Sequence, residues 1–568
     1  MKTSGREEIK EAASTHLLGL VGWLIFGKED RDSNVPATAA AAAAGGRDVV
    51  VGDIVSGVDA VLAVSAGGGG VELSSDQCSV RLIGLLYQCA AEVAAGALDR
   101  ANLCLEHIMQ LASLDAPHAL QRLAAVFADA LARKLLNLVP GLSRALLTSS
   151  SSSSSPSPAG TSSGDAARRH MFDMLPFLKL AYLTTNHAIL EAMEGERFVH
   201  VVDLSGPAAN PAQWIALFHA FRGRSRDGQG VFPHLRVTAV HESKEFLGAM
   251  AASLAREAEA FDIPFQFAGV ESRLEDLDSA ALRHCLRVRS GEALAVSVAL
   301  QLHRLLAADD DGRCRRHPGG GLTPLQSILA ARSSPRSPSS GGSSSFGELL
   351  ERELNTRLQL SPDASSYNSP QYSSPTMSAF SSSGSGKPKL ESFLSAIKAL
   401  SPKVMVITEQ EANHNGAAFH ERFDEALNYY ASLFDCLERA SSGQGQHRSN
   451  SAAERARVVE RAVLGEEIRS IVASEGRERK ERHERAAQWA GRMEASGMER
   501  VGLSYGGAME ARKLLQSCGL GGGGYQVRHD VQEQRFFFCW HDRPLYAVSA
   551  WRPAGAGPAS AYHHRGPR

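Results

Sequence analysis

The sequence predicts an α/β fold: a mostly parallel, Rossmann-like sheet with a C-terminal antiparallel hairpin and an N-terminal helical cap. The first observation is the alternation of short apolar runs with helical patterns after Arg168, because such alternation requires crossovers and therefore a parallel sheet. The second is a set of three strand-like runs near the C-terminus, whose short connections force antiparallel pairing. The third is a purely helical periodicity from Cys78 to about Leu147, before the first strand.

The cap opens with leucines at positions 82, 85 and 86, a spacing that places Leu82, Leu85 and Leu86 on one helix face. A stripe of this kind belongs to a hydrophobic core more often than to a docking face, so core packing is the preferred interpretation. A face that enters the groove of a partner is the alternative.

The alternating region gives five parallel strands and three connecting helices. The predicted strands cover residues 199–204, 235–240, 265–268, 293–300 and 403–408, and the helices cover 211–222, 244–261 and 274–285. The closing antiparallel strands cover 525–530, 536–541 and 545–551.

A parallel sheet that ends in an antiparallel hairpin is also the topology of S-adenosylmethionine methyltransferases. Asp203, at the end of the first strand, and Glu242, after the second, occupy the two positions where those enzymes hold the cofactor. However, the following turn lacks a Gly-x-Gly-x-x-Gly loop, and Pro207 and Pro211 remove two backbone donors. We therefore prefer polar caps that orient the next helix, with a cofactor site as the alternative, and we expect no cofactor.

Composition narrows the function classes further. The chain has 568 residues, 43% of them hydrophobic, and a formal net charge of −2, so its net charge does not favour nucleic acid or an anionic membrane. Its eight cysteines include no Cys-x-x-Cys pair and no Cys/His run at zinc spacing, which predicts reduced thiols and no metal site. The apolar run at 16–26 is too short to span a bilayer and follows acidic residues.

Low-complexity tracts divide the chain. Residues 1–76 are predicted to be a disordered N-terminal extension, 77–553 one folded domain, and 554–568 a disordered tail. Ser-rich tracts at about 148–165 and 307–389 are interpreted as flexible insertions within the domain.

The densest run of charge is 476–485. Interleaved acids and bases favour a solvated helix with its own ion pairs, and phosphate binding or nuclear import is the alternative. Arg313, Arg315 and Arg316 form a second, weaker import signal in a flexible loop. No His-Glu-x-x-His or Gly-Lys-Ser/Thr motif occurs, and no catalytic residue is assigned.

Five motif regions, in order, resemble those of the plant GRAS family of transcriptional regulators, and the stretches 188–196, 262–267 and 543–551 resemble its SCARECROW-like branch. The residues that carry the resemblance are Leu82, Leu85, Leu86, Val199, His200, Val201, Val202, Asp203, Gln213, Trp214, Pro402, Tyr429, Tyr430, Arg457, Glu460, Arg461, Trp489, Gly497, Trp540, Ser549, Ala550 and Trp551. The chain departs from the family at 205–209, where Ser-Gly-Pro-Ala-Ala replaces the usual Asp-x-x-Gln/Glu-Gly.

The resemblance implies a nuclear regulator that acts through protein–protein contacts in gibberellin signalling and in root and shoot development. The implied partners are DELLA-type GRAS proteins and INDETERMINATE-DOMAIN zinc-finger proteins, with homo- or heterodimers formed through the cap. DNA would then be contacted indirectly, and no membrane is involved. A sequence-specific DNA-binding factor and an S-adenosylmethionine-dependent methyltransferase are the alternative functions.

Overall fold

The computed structural model describes residues 75–137, 163–226, 232–307, 388–442, 446–518, 520 and 523–555. All of them belong to one compact unit, and the second unit, 312–386, lies outside the described residues. The same is true of the N-terminal extension up to residue 74, most of both Ser-rich insertions, the three arginines at 313–316 and the tail from 556.

The described strands form one nine-stranded sheet, which confirms the predicted fold class. The strands are β1 (Phe198–Asp203), β2 (His234–His241), β3 (Phe265–Glu271), β4 (Ala293–Ala299), β5 (Val404–Gln410), β6 (Met498–Val501), β7 (Tyr525–Asp530), β8 (Arg535–Trp540) and β9 (Arg543–Pro553). Their order is β3-β2-β1-β4-β5-β9-β8-β7, and β6 pairs with β9. The first five strands are mutually parallel, and β9 runs antiparallel to β5.

Helices cover both faces of this sheet and build the cap. They are α1 (Ser75–Ala95), α2 (Leu98–Leu111), α3 (Ala119–Asn137), α4 (Ser163–Met174), α5 (Phe177–Ala192), α6 (Pro211–Arg226), α7 (Lys244–Ala260), α8 (Ser279–Leu286), α9 (Leu302–Leu305), α10 (Lys389–Ala399), α11 (Phe419–Ser441), α12 (Gln446–Val459), α13 (Gly465–Val472), α14 (Ala486–Ala495) and α15 (Tyr505–Ser517).

The cap packs through the leucine face of α1. Leu82, Leu85 and Leu86 are each 3% exposed or less and belong to the main hydrophobic core. Within the described residues, the stretch Gln77–Ala95 of α1 is long and apolar enough to cross a membrane by length and composition. Because its leucines pack against the rest of the protein, α1 has the properties of a core helix.

One predicted helix starts later than expected, and one strand was not predicted. The helix expected at 274–285 begins only at Ser279, because Asp278 caps it by accepting the backbone N–H groups of Ala280 and Ala281 at 2.9 and 2.7 Å. Strand β6 was not predicted. It has four residues, only the first of them buried, and so carries no period-two signal.

Polar residues gather where the parallel strands end. Since β1, β4 and β5 are parallel neighbours, their carboxyl ends meet at one edge of the sheet. Asp203 ends β1, Gln301 and His303 follow β4, and Glu409 lies near the end of β5, and all four are buried. In open α/β sheets this edge is where ligands bind, so it is the candidate site.

Candidate functional site at the carboxyl edge of the sheet

Asp203 is held by the protein itself. One carboxylate oxygen accepts the backbone N–H of Ser205 at 2.9 Å, and the other accepts the indole N–H of Trp214 at 2.8 Å. Burial raises the pKa of Asp203, and the donors on Ser205 and Trp214 partly oppose that rise. Because Asp203 and Trp214 are both at most 1% exposed, this carboxylate orients the start of α6.

The turn after β1 is packed against the turn after β4. Gly206 has a positive φ of 49°, and a Cβ built there would lie 3.2 Å from the side-chain oxygen of Gln301. Ser205 Oγ accepts the backbone N–H of Ala299 at 3.2 Å. Side chains therefore occupy the position where a glycine loop would have to admit a ligand.

Glu242 does not complete a cofactor site. Its side chain is 39% exposed and forms a 2.5 Å ion pair with Arg273. This arrangement fits a surface ion pair, in which a guanidinium group takes the place that ribose hydroxyls would have at a cofactor-binding acid.

The structure contradicts the prediction of a solvated helix for the charged run at 476–485. It is not a helix: a short 3₁₀ turn, Gly476–Glu478, leads into an extended segment that ends at α14. Four of its charged side chains, Arg479, Glu481, Arg482 and Glu484, are at most 6% exposed. The run was misread because its ion-pair partners lie on other elements, where no sequence pattern marks them.

His303 forms the centre of this buried assembly. Its Nδ1 lies 2.7 Å from Glu409 and its Nε2 lies 2.8 Å from Glu481. Glu409 also accepts the backbone N–H of Leu302 at 2.8 Å, and Arg304 donates to Glu481 at 2.9 Å. The end of β5, helix α9 and the extended segment are thus joined through one imidazole ring.

Two further histidines extend the assembly. His483 and His414 lie with their Nδ1 atoms 2.9 Å apart, and both are completely buried. The His414 ring stacks on Tyr430, whose hydroxyl donates to Glu467 at 2.8 Å. We call His303, Glu409, His414, Glu481 and His483 the junction cluster.

The charges in and around the junction cluster are set by burial and by neighbouring ions. Burial alone would lower the pKa of His303, but Glu409 and Glu481 outweigh it and raise that pKa to about 9. Burial lowers the pKa of His414, so its ring is neutral. Burial and the carboxylate of Glu481 raise the pKa of Glu467 to about 7.

The family-motif residues are mainly structural contacts. Glu460 forms a bidentate pair with Arg122 on α3, at 2.8 and 3.0 Å. Tyr429 donates to the backbone oxygen of Leu545 at 2.9 Å. The other motif positions lie as follows: Val199, His200, Val201 and Val202 on β1, Gln213 on α6, Pro402 before β5, Arg457 on α12, Arg461 beside Asp115, Trp489 on α14, Gly497 before β6, Trp540 bonded to Asp435, and Ser549, Ala550 and Trp551 on β9.

Sequence reasoning missed the junction cluster because His303 and Glu481 are 178 positions apart. The only available signal was the density of charge at 476–485, which becomes informative once those side chains are known to be buried. All seven cysteines among the described residues are free of disulfide bonds.

Comparison with known proteins agrees with this geometry. The GRAS domain family model matches residues 82–552. Scarecrow-like protein 3 of Arabidopsis thaliana is 43% identical over 488 residues, covering 85% of this chain and 90% of that protein. DELLA protein GAI1 of Vitis vinifera is 30% identical over 489 residues, covering 85% of this chain and 64% of that protein.

A solved structure shows the same fold. The crystal structure of SCL7 from Oryza sativa is similar with a TM-score of 0.56 and 26% identity, over 83% of this chain and 99% of that one. Together with the family match over 82–552, this shows that the chain belongs to the GRAS domain family of plant transcriptional regulators.

Proposed function

We propose that this protein is a nuclear transcriptional co-regulator that binds other regulators in gibberellin signalling and in root and shoot development. Family membership over residues 82–552 is the observation that carries the proposal. The partners we propose are DELLA-type GRAS proteins and INDETERMINATE-DOMAIN zinc-finger proteins, and the DNA contact is indirect.

The carboxyl edge supports a non-enzymatic role. Asp203 and Trp214 are bonded to each other, Gln301 lies against Gly206, and Glu242 is paired at the surface. A methyltransferase needs this edge open to its cofactor. The present arrangement instead makes the edge a rigid support for the surfaces around it.

The cap supports protein contacts. Val80 on α1 and Leu103 and Met109 on α2 are 68%, 54% and 72% exposed, although their neighbours on the same helices are buried. Large apolar side chains in water gain free energy when a partner covers them. We therefore propose the outer face of α1 and α2 as a surface for homo- or heterodimers.

The direct test measures binding of a purified DELLA-type partner by calorimetry. Val80→Asp together with Met109→Asp should weaken binding by at least about tenfold, since charge would enter an apolar contact. Leu86→Ala serves as the contrasting variant, because its core position predicts a loss of about 2–5 kcal/mol of folding free energy. Normal affinity in the folded double-Asp variant would exclude this face.

Selection of the full chain on random duplex DNA separates the co-regulator from a direct DNA reader. We expect no enriched motif without a partner, because the net charge is −2 and the arginines at 479 and 482 are buried. A reproducible motif from the protein alone would replace the co-regulator proposal with sequence-specific DNA binding.

A further inference from the structure

Three side chains of the junction cluster converge on one point. Potential ligand atoms of His303, Glu481 and His483 lie within 4.8 Å of one another, and all three residues are buried. One Glu481 oxygen lies 2.8 Å from Nε2 of His303 and 3.4 Å from Nε2 of His483. A single carboxylate oxygen therefore faces two imidazole nitrogens.

The far nitrogen of each imidazole ring is also engaged. Nδ1 of His303 lies 2.7 Å from Glu409, and Nδ1 of His483 lies 2.9 Å from Nδ1 of His414. If each Nδ1 donates its hydrogen to that neighbour, both Nε2 atoms carry a lone pair near the same Glu481 oxygen. Metal-binding histidines are oriented in this way, with the second ring nitrogen donating to a carboxylate or another acceptor.

One of the converging atoms is left without a hydrogen bond. Nε2 of His483 is buried and has no hydrogen-bond partner among the described residues. A buried polar atom without a hydrogen bond destabilises the folded protein. A cation between His303, Glu481 and His483 would satisfy it.

We propose that His303, His483 and Glu481 bind a zinc ion, with Glu409 and His414 orienting the two imidazole rings. Two imidazoles and a carboxylate, without sulfur, form a ligand set that suits Zn²⁺. Ligands about 2.0–2.1 Å from a tetrahedral ion are about 3.3 Å apart, close to the 3.4 Å between His483 and Glu481.

Binding replaces a proton. The hydrogen shared by His303 Nε2 and Glu481 leaves to solvent, and their 2.8 Å contact widens by about 0.5 Å to admit the ion. The ion then joins α9, which follows β4, to the extended segment before α14. With three protein ligands, the ion keeps its fourth position for water, and it holds the charged segment in the interior of the protein.

The test uses the full chain without an affinity tag, stripped with a chelator and titrated with ZnCl₂ alone. We expect about one tightly bound Zn²⁺ per chain, and binding at least about 100-fold weaker in His483→Gln. Glu409→Gln should weaken binding by about 10–100-fold through the orientation of His303. His219→Gln, which breaks a partly buried 2.7 Å pair with Glu257 elsewhere, is the matched control and should bind normally.

A second measurement does not depend on how the variants fold. Co²⁺ in the native chain should give the visible absorption of a tetrahedral nitrogen–oxygen site, without a thiolate charge-transfer band. Absence of zinc binding, equal binding by folded His483→Gln, or a thiolate spectrum would each overturn the proposal. The junction cluster would then be an ion-pair assembly alone.

Discussion

Asp203 lies at the end of β1, where related folds hold a cofactor, but its hydrogen bonds are those of a structural residue. Both of its oxygens are taken, one by the backbone of Ser205 and the other by the indole of Trp214. A buried carboxylate with two donors is stable because each donor would otherwise be buried without a partner. Its role is therefore to set the angle between β1 and α6.

Replacing Asp203 by Asn should lower the free energy of unfolding by about 1–3 kcal/mol. The amide keeps one acceptor oxygen but turns its NH₂ group toward a second donor. Chemical denaturation gives the value, and Glu242→Gln is the control, with an expected loss below about 1 kcal/mol for an exposed ion pair. Equal losses in the two variants would contradict the structural role of Asp203.

His187 on α5 makes stability depend on pH. Its ring lies 3.2 Å from Glu191 and 3.5 Å from Glu510. Burial alone would lower the pKa of His187, but the neighbouring carboxylates of Glu191 and Glu510 raise it from 6.5 to about 9. Because the folded state binds this proton more tightly, the stabilisation is complete below about pH 6.5 and is lost as pH rises through about 9.

We expect His187→Gln to be less stable than the native chain at pH about 6, with the difference shrinking toward pH about 9.5. Urea denaturation at several pH values measures this difference. A difference that stays constant across the range would mean that packing, and not the charge of His187, stabilises the fold.

At the scale of elements, the sequence predicted the helices and strands that have a periodic pattern of apolar residues. It missed the segment whose burial depends on partners distant in the sequence. The apolar strands and the closing hairpin carry local signals, so their positions were confirmed to within a few residues. The four-residue strand β6 has no such local signal in the sequence. The run at 476–485 has the composition of a surface helix, and its burial depends on tertiary contacts with His303, His414 and Arg492.

The cap is joined to the helices that follow β5 by a buried ion pair. Arg122 on α3 and Glu460, just after α12, are 6% and 2% exposed at their side chains. Removing one partner from such a pair leaves a buried charge without its counter-ion.

Glu460→Ala should therefore lower the unfolding free energy by about 3 kcal/mol. The neighbouring Arg461→Ala is the matched control, because its pair with Asp115 is 41% and 76% exposed, and the loss should stay below about 1 kcal/mol. Differential scanning calorimetry of the two variants compares their losses of unfolding free energy. A larger loss for the Arg461 variant would place the cap attachment elsewhere.

At the scale of the whole molecule, the carboxyl edge of the sheet is a packed junction. Asp203 with Trp214 occupies one part of it, and the junction cluster occupies the other, beyond β4 and β5. The scaffold that methyltransferases use to hold a cofactor here holds its own charged side chains. Among the described residues, the surfaces that we propose for function are those of the cap and the rims of the sheet.

Titration of the full chain with S-adenosylmethionine, followed by calorimetry, tests this account most directly. We predict no saturable heat at cofactor concentrations up to about 1 mM, with circular dichroism confirming that the sample is folded. Saturable binding that Asp203→Asn abolishes would show that the edge opens to a ligand, and it would contradict the filled junction described above.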